Sequence, residues 1–145
     1  MRRAVSTEGV QATTRARITL LALCWLASFS GPGAWAAGSW VATAPPLRVS
    51  MAERESLSAP LQPPASVPEG EIHSLTWRFT APPGARLRGR LCQADRCVAV
   101  DSMRGSSTAL AGYPATLPLR FHFALAPQQQ QAVVVGGMQL IVNYQ

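Results

Sequence analysis

Strict alternation of apolar and polar side chains is the strongest pattern in this chain. In Ile72–Thr80 (I-H-S-L-T-W-R-F-T), Leu75, Trp77 and Phe79 alternate with Thr76 and Arg78. In Leu117–Leu125 (L-P-L-R-F-H-F-A-L), Leu119, Phe121, Phe123 and Leu125 alternate with Arg120 and His122. A period of two marks an extended strand with one face buried, so both segments are predicted as strands. Between them, Arg86–Asp101 (R-L-R-G-R-L-C-Q-A-D-R-C-V-A-V-D) reads as two strands joined by a four-residue turn, with Cys92 and Cys97 opposite each other at its base. Leu87, Gly89 and Leu91 fall on one face of the first arm, Arg86, Arg88 and Arg90 on the other, and Val98 and Val100 repeat the pattern on the second arm.

The remaining segments are shorter and more broken. Ser39–Thr43 opens a strand, and Leu47–Met51 continues it or begins another after Pro45 and Pro46. Glu53–Gly70 carries Pro60, Pro63, Pro64 and Pro68 without an apolar period, which predicts a long surface connection with a short edge strand around Leu57–Leu61. Arg104–Ser107 reads as a turn and Thr108–Leu110 as a short strand. Val133–Val135 and Met138–Tyr144 end the chain, separated by Gly136 and Gly137. Apolar residues on both faces of the last segment, Leu140, Ile141 and Val142, place it at the centre of a sheet. Many short strands between Pro and Gly turns, with no helical period, predict an all-β domain over residues 37–145: a small antiparallel β-sandwich with one hairpin disulfide. Its expected core draws on Trp77, Phe79, Leu87, Leu91, Val98, Val100, Leu119, Phe121, Phe123, Leu140 and Val142.

Residues 1–36 follow a different pattern. Basic residues lead into the apolar run Ile18–Phe29, then a Ser-Gly-Pro-Gly breaker, then Ala34-Trp35-Ala36, the small-x-small form of a signal-peptidase site. The run falls short of the ~20 residues that span a bilayer, so a signal peptide cleaved after Ala36 is expected, with no stable membrane insertion afterwards. A lipoprotein site is disfavoured by Leu23 before Cys24, and Cys24 leaves with the signal. Cys92 and Cys97 then remain as an even pair in an oxidising compartment, which favours a structural disulfide over a redox-active or zinc-binding pair.

All thirteen basic residues are arginine, and a high-GC genome is sufficient reason. Beyond residue 36 nine arginines face six acids, a net charge of +3 that is too small and too dispersed for a nucleic-acid partner. No catalytic constellation stands out. His73 and His122 have no carboxylate near them in sequence, and Glu53, Glu55, Glu69, Glu71, Asp95 and Asp101 read as surface charge. Two features keep functional weight. Arg86, Arg88 and Arg90 form a one-sided row of planar donors suited to carboxylates, which Arg78 or Arg120 joins if their strands are neighbours. Trp40 is either core or an exposed ring for stacking.

The order G-S-W near Gly38, T-W-R-F, R-L-C-x4-C-V, P-L-R-F and a terminal I-V-N-Y-Q resembles the FlhE flagellar family from Gly38 to Gln145. That resemblance implies a periplasmic accessory protein of the bacterial flagellum that needs no cofactor and is not an enzyme. Its expected partners are flagellar export-gate or periplasmic flagellar proteins, and its expected action is to limit proton leakage through the export apparatus or to assist assembly. Two other readings stay open: a carbohydrate-binding module for peptidoglycan using Trp40, and a hydrolase using the acids that stand two apart, Glu53 with Glu55 and Glu69 with Glu71.

Overall fold

Residues 37–145, which are the residues that the computed structural model describes, hold nine strands, each paired antiparallel. The expected signal peptide over residues 1–36 lies outside the described residues. In chain order the strands are β1 (Gly38–Ala44), β2 (Leu47–Val49), β3 (Ser56–Leu57), β4 (Ile72–Thr80), β5 (Leu87–Gln93), β6 (Arg96–Val100), β7 (Arg104–Ser107), β8 (Arg120–Leu125) and β9 (Val133–Tyr144). One sheet has the order β1-β9-β4-β7, with β2 also paired to β9; the other has the order β3-β8-β5-β6.

The two sheets meet through the residues that alternation turns inward. Leu75, Trp77 and Phe79 of β4 and Leu140 and Val142 of β9 face Leu91 of β5, Val98 and Val100 of β6, and Phe121 and Phe123 of β8; all are buried. Three rings join the layers. The Phe79 centroid lies 5.0 Å from that of Phe123 and 6.4 Å from that of Phe121, both edge-on, while Phe121 and Phe123 stack at 5.7 Å. Of the expected core, Leu87 is only half-buried. Trp40, Val49, Leu61, Ile72, Val135 and Met138 are buried as well.

The central position expected for the last strand holds: β9 lies between β1 and β4. Gly136 and Gly137 do not end it. Gly137 takes the left-handed conformation (φ 58°), and the β4–β9 register shifts between Arg78 and Thr80, so the pair of glycines forms an irregularity inside one strand. On the other side of β9, Ala44 pairs with Met138 and Leu47 with Val135, which sets Pro45 and Pro46 beside the same break. Prolines without N–H groups and a left-handed glycine thus interrupt the ladder at one level.

Three local expectations are corrected. Gln93 pairs with Arg96, so the hairpin turn is two residues, Ala94 and Asp95, not four. Ala94 adopts φ 50°, the sign that the first position of a tight hairpin turn requires. Arg104–Ser107 is a strand, not a turn, because β4 supplies a ladder for it: Leu75, Thr76, Trp77 and Arg78 pair with Ser107, Ser106, Gly105 and Arg104. Thr108–Leu110 is instead a turn, closed by the Ala111 N–H donating to the Thr108 carbonyl at 2.9 Å. The edge strand expected around Leu57–Leu61 exists as β3, after which Leu61 bridges to Leu119.

Candidate functional site

The outer face of the β3-β8-β5-β6 sheet collects most of the residues with functional weight. Leu91 turns inward against Phe121, so its neighbours Arg90 and Cys92 turn outward, and Cys92 lies across from Cys97 in the ladder. The two sulfurs are bonded at 2.03 Å. On the inner side Gly89 is required by packing. A Cβ there would stand 2.9 Å from the Val100 carbonyl oxygen and 3.0 Å from the Phe123 ring, so the absent side chain lets β8 press close behind the arginines.

Arg86, Arg88 and Arg90 are exposed in a row, spaced by about 7 Å as alternate residues of an extended chain. Arg120 joins them, because β8 pairs with β5 and Arg120 lies across from Cys92. Arg78 does not; it belongs to β4 in the other sheet. The middle of the row is occupied by the protein's own chain. Arg88 Nη2 donates to the Ala52 carbonyl at 2.7 Å. Arg90 donates Nε and Nη2 to Glu55 Oε1 and Oε2 at 2.9 and 2.7 Å, a two-pronged pairing. His122 Nδ1 lies 3.0 Å from the same Glu55 Oε2. The Arg90 guanidinium, with a smaller contribution from His122, holds the Glu55 carboxyl below its usual value of 4.5, and Glu55 in turn raises Arg90. Arg86 and Arg120 make no side-chain hydrogen bond to another described residue, so the row is free at its two ends and tethered between them.

Beside Arg120 lies an apolar hollow of about 410 Å3 lined by Leu57, Cys92, Leu117, Pro118 and His122. Leu57 and Leu117 are 45% and 46% exposed, large apolar groups left on the surface next to the free end of the arginine row. Gln93 braces its rim: buried on β5, it donates Nε2 to the Pro114 and Leu117 carbonyls at 2.8 and 3.3 Å.

Sequence reasoning did not join Glu55 to Arg90 and His122, and it gave Leu57 and Leu117 no place on a binding surface. Glu55 lies 35 residues from Arg90 and 67 from His122, distances at which no local pattern joins them. Trp40 is corrected as a partner-binding residue. It is 3% exposed, and its indole N–H donates to the Ala115 carbonyl at 3.0 Å, so it packs in the core and offers no ring to a ligand. Trp77 is buried too, donating to the Ser102 carbonyl at 3.1 Å. The carbohydrate-binding reading loses the aromatic platform it rested on.

The family model described as Flagellar protein FlhE matches residues 48–145. Among curated proteins, the flagellar protein FlhE of Yersinia enterocolitica is 33% identical over 119 residues, covering 77% of this chain and 84% of the relative. That of Escherichia coli K12 is 34% identical over 113 residues, covering 74% and 79%. That of Salmonella typhimurium is 37% identical over 79 residues, and the chain spans 61% of its length. A crystal structure of FlhE superposes with a TM-score of 0.68 at 28% identity, covering 75% of this chain and 97% of that one. The family model covers residues 48–145 and the Yersinia enterocolitica relative is matched over 84% of its length, so this chain belongs to the FlhE family of flagellar proteins.

Proposed function

We propose that this protein is a non-catalytic accessory of the flagellum that works in the periplasm, and that it acts by binding another flagellar protein through the outer face of the β3-β8-β5-β6 sheet. One observation carries the reading. Exposed Leu57 and Leu117 stand directly beside Arg120, at the free end of the arginine row, which combines an apolar anchor with a charged rim as protein interfaces do. The bonded Cys92–Cys97 pair supports an oxidising compartment, and family membership supports a flagellar partner. Binding on this face limits proton leakage through the export apparatus or assists assembly of the periplasmic part of the flagellum.

A photo-crosslinking residue placed at Leu117 in living, flagellated cells tests the surface. It is expected to capture a flagellar export or periplasmic flagellar component, while the same residue at exposed Val41, on the other sheet, does not. In parallel, Arg86→Gln with Arg120→Gln should impair motility or proton retention while shifting the melting temperature little, since exposed substitutions usually stay within about 0.5 kcal/mol. Wild-type behaviour in both assays would remove this face from the function.

A further inference from the structure

The outer face of the other sheet carries a second basic feature with a different geometry. Arg78 of β4 and Arg104 of β7 are cross-strand partners, both exposed. Like charges directly opposite on neighbouring strands repel. Among the described residues neither has a carboxylate within ion-pair distance; the pairs that form there belong to Glu55 on the opposite sheet. The two arginines line a shallow cavity of about 510 Å3 with Thr76, Ser106, Gln139 and Ile141, so hydroxyl and amide groups surround the charges over one apolar floor.

β7 is also the last strand of its sheet. The Phe79 N–H donates to the Met103 carbonyl at 2.9 Å, which fixes the ladder phase between β4 and this segment. In an antiparallel pair hydrogen-bonded and non-bonded residue pairs alternate, so Trp77 with Gly105 is bonded, whereas Arg78 with Arg104 and Thr76 with Ser106 are not. Arg104 and Ser106 therefore turn their backbone N–H groups away from β4, toward open solvent. The Arg104 carbonyl accepts from Ser102 Oγ at 2.6 Å, which leaves the two N–H groups and the Ser106 carbonyl free for an added strand. The residues with free backbone groups are the same ones whose side chains point to the charged face.

We infer that β7 is a docking edge for an extended acidic polypeptide, which adds as a strand and sets its carboxylates across from Arg104 and Arg78. Backbone pairing supplies the affinity and the arginine pair the selectivity, as in other strand-addition interfaces. A carboxylate in the adjoining position relieves the repulsion that the two guanidinium groups otherwise exert on each other. This surface is on the opposite sheet from the one in the proposed function and stands independently of it. The edge is only four residues long, and Arg104 on it with Arg78 on the neighbouring strand repels basic strands and favours acidic ones.

The test uses the purified protein and a short synthetic peptide alternating glutamate with threonine, with a glutamine–threonine peptide as control, followed by amide NMR and hydrogen exchange. The glutamate peptide is expected to bind and to slow exchange at the Arg104 and Ser106 amides. Arg78→Gln with Arg104→Gln should weaken it about tenfold, as two exposed ion pairs allow, with a melting temperature equal to or slightly above that of wild type because the cross-strand repulsion is removed. The glutamine peptide should bind wild type no better than the glutamate peptide binds the variant. No binding at millimolar peptide, binding indifferent to the double substitution, or signals confined to the β3-β8-β5-β6 sheet would overturn the proposal. Full competition by inorganic phosphate without slowed exchange at Arg104 and Ser106 would reduce the site to a small-anion pocket and overturn strand addition.

Discussion

Glu55 shows how much one side chain can organise without being buried. Its carboxylate takes two hydrogen bonds from Arg90 and stands against His122, which folds the segment between β2 and β3 onto the arginine row. Because Arg90 holds its folded-state value below 4.5, the stabilisation that Glu55 brings is fully present above that pH and is lost as pH falls through the lowered value. Glu55→Gln should therefore lower the melting temperature slightly at neutral pH and make no difference in sufficiently acidic buffer. Thermal melts of both proteins from neutral pH to well below 4.5 should converge at the acid end; a gap that persists there would mean that the carboxylate's charge is irrelevant. The effect is small, since exposed pairs contribute at most about 1 kcal/mol. Its interest is positional: releasing Arg90 frees a third member of the row.

At the scale of elements, what the sequence made legible was set by how local the cause is. β4, β5, β6 and β8 were readable because alternation along a few residues decides which face is buried, and Cys92 with Cys97 marked the register of the hairpin. β7 was not readable, since R-G-S-S has no apolar alternation; it is a strand because β4 holds it in register, a partner 26 residues earlier at Arg78. The folded-over Glu55 segment was illegible for the same reason. The arginine row was visible in sequence, but its division into tethered and free members depends on contacts from that segment. The hairpin itself yields a measurable expectation. A disulfide closing a loop this short contributes about 2 kcal/mol by chain entropy, so Cys92→Ser with Cys97→Ser should lower the melting temperature by several degrees and leave a folded protein at low temperature. Complete unfolding at low temperature would show that the hairpin nucleates far more than its loop length implies.

Across the whole molecule, stability depends on how two sheets with opposite duties share one core. Each carries a functional candidate on its outer face, while the inner faces meet at Phe79, Phe121 and Phe123. Phe123 is the most consequential of the three: it is fully buried, touches both other rings, and occupies the space that Gly89 leaves open on β5. Removing such a ring typically costs about 3–5 kcal/mol, through lost burial and the cavity left behind. Small domains have about 5–15 kcal/mol in total, so Phe123→Ala should leave the protein close to its folding limit. The arginine row lies on the back of the same strands, and loss of the ring should loosen β8 against β5 and disturb Arg120 and His122 together with the core. Chemical denaturation of residues 37–145, whose two tryptophans Trp40 and Trp77 lie in the first sheet, monitored separately by tryptophan fluorescence and by an NMR signal from His122 in the second should show one coincident transition, shifted to much lower denaturant. Two separated transitions would mean that the sheets are stable independently, and that the faces they carry are not mechanically coupled.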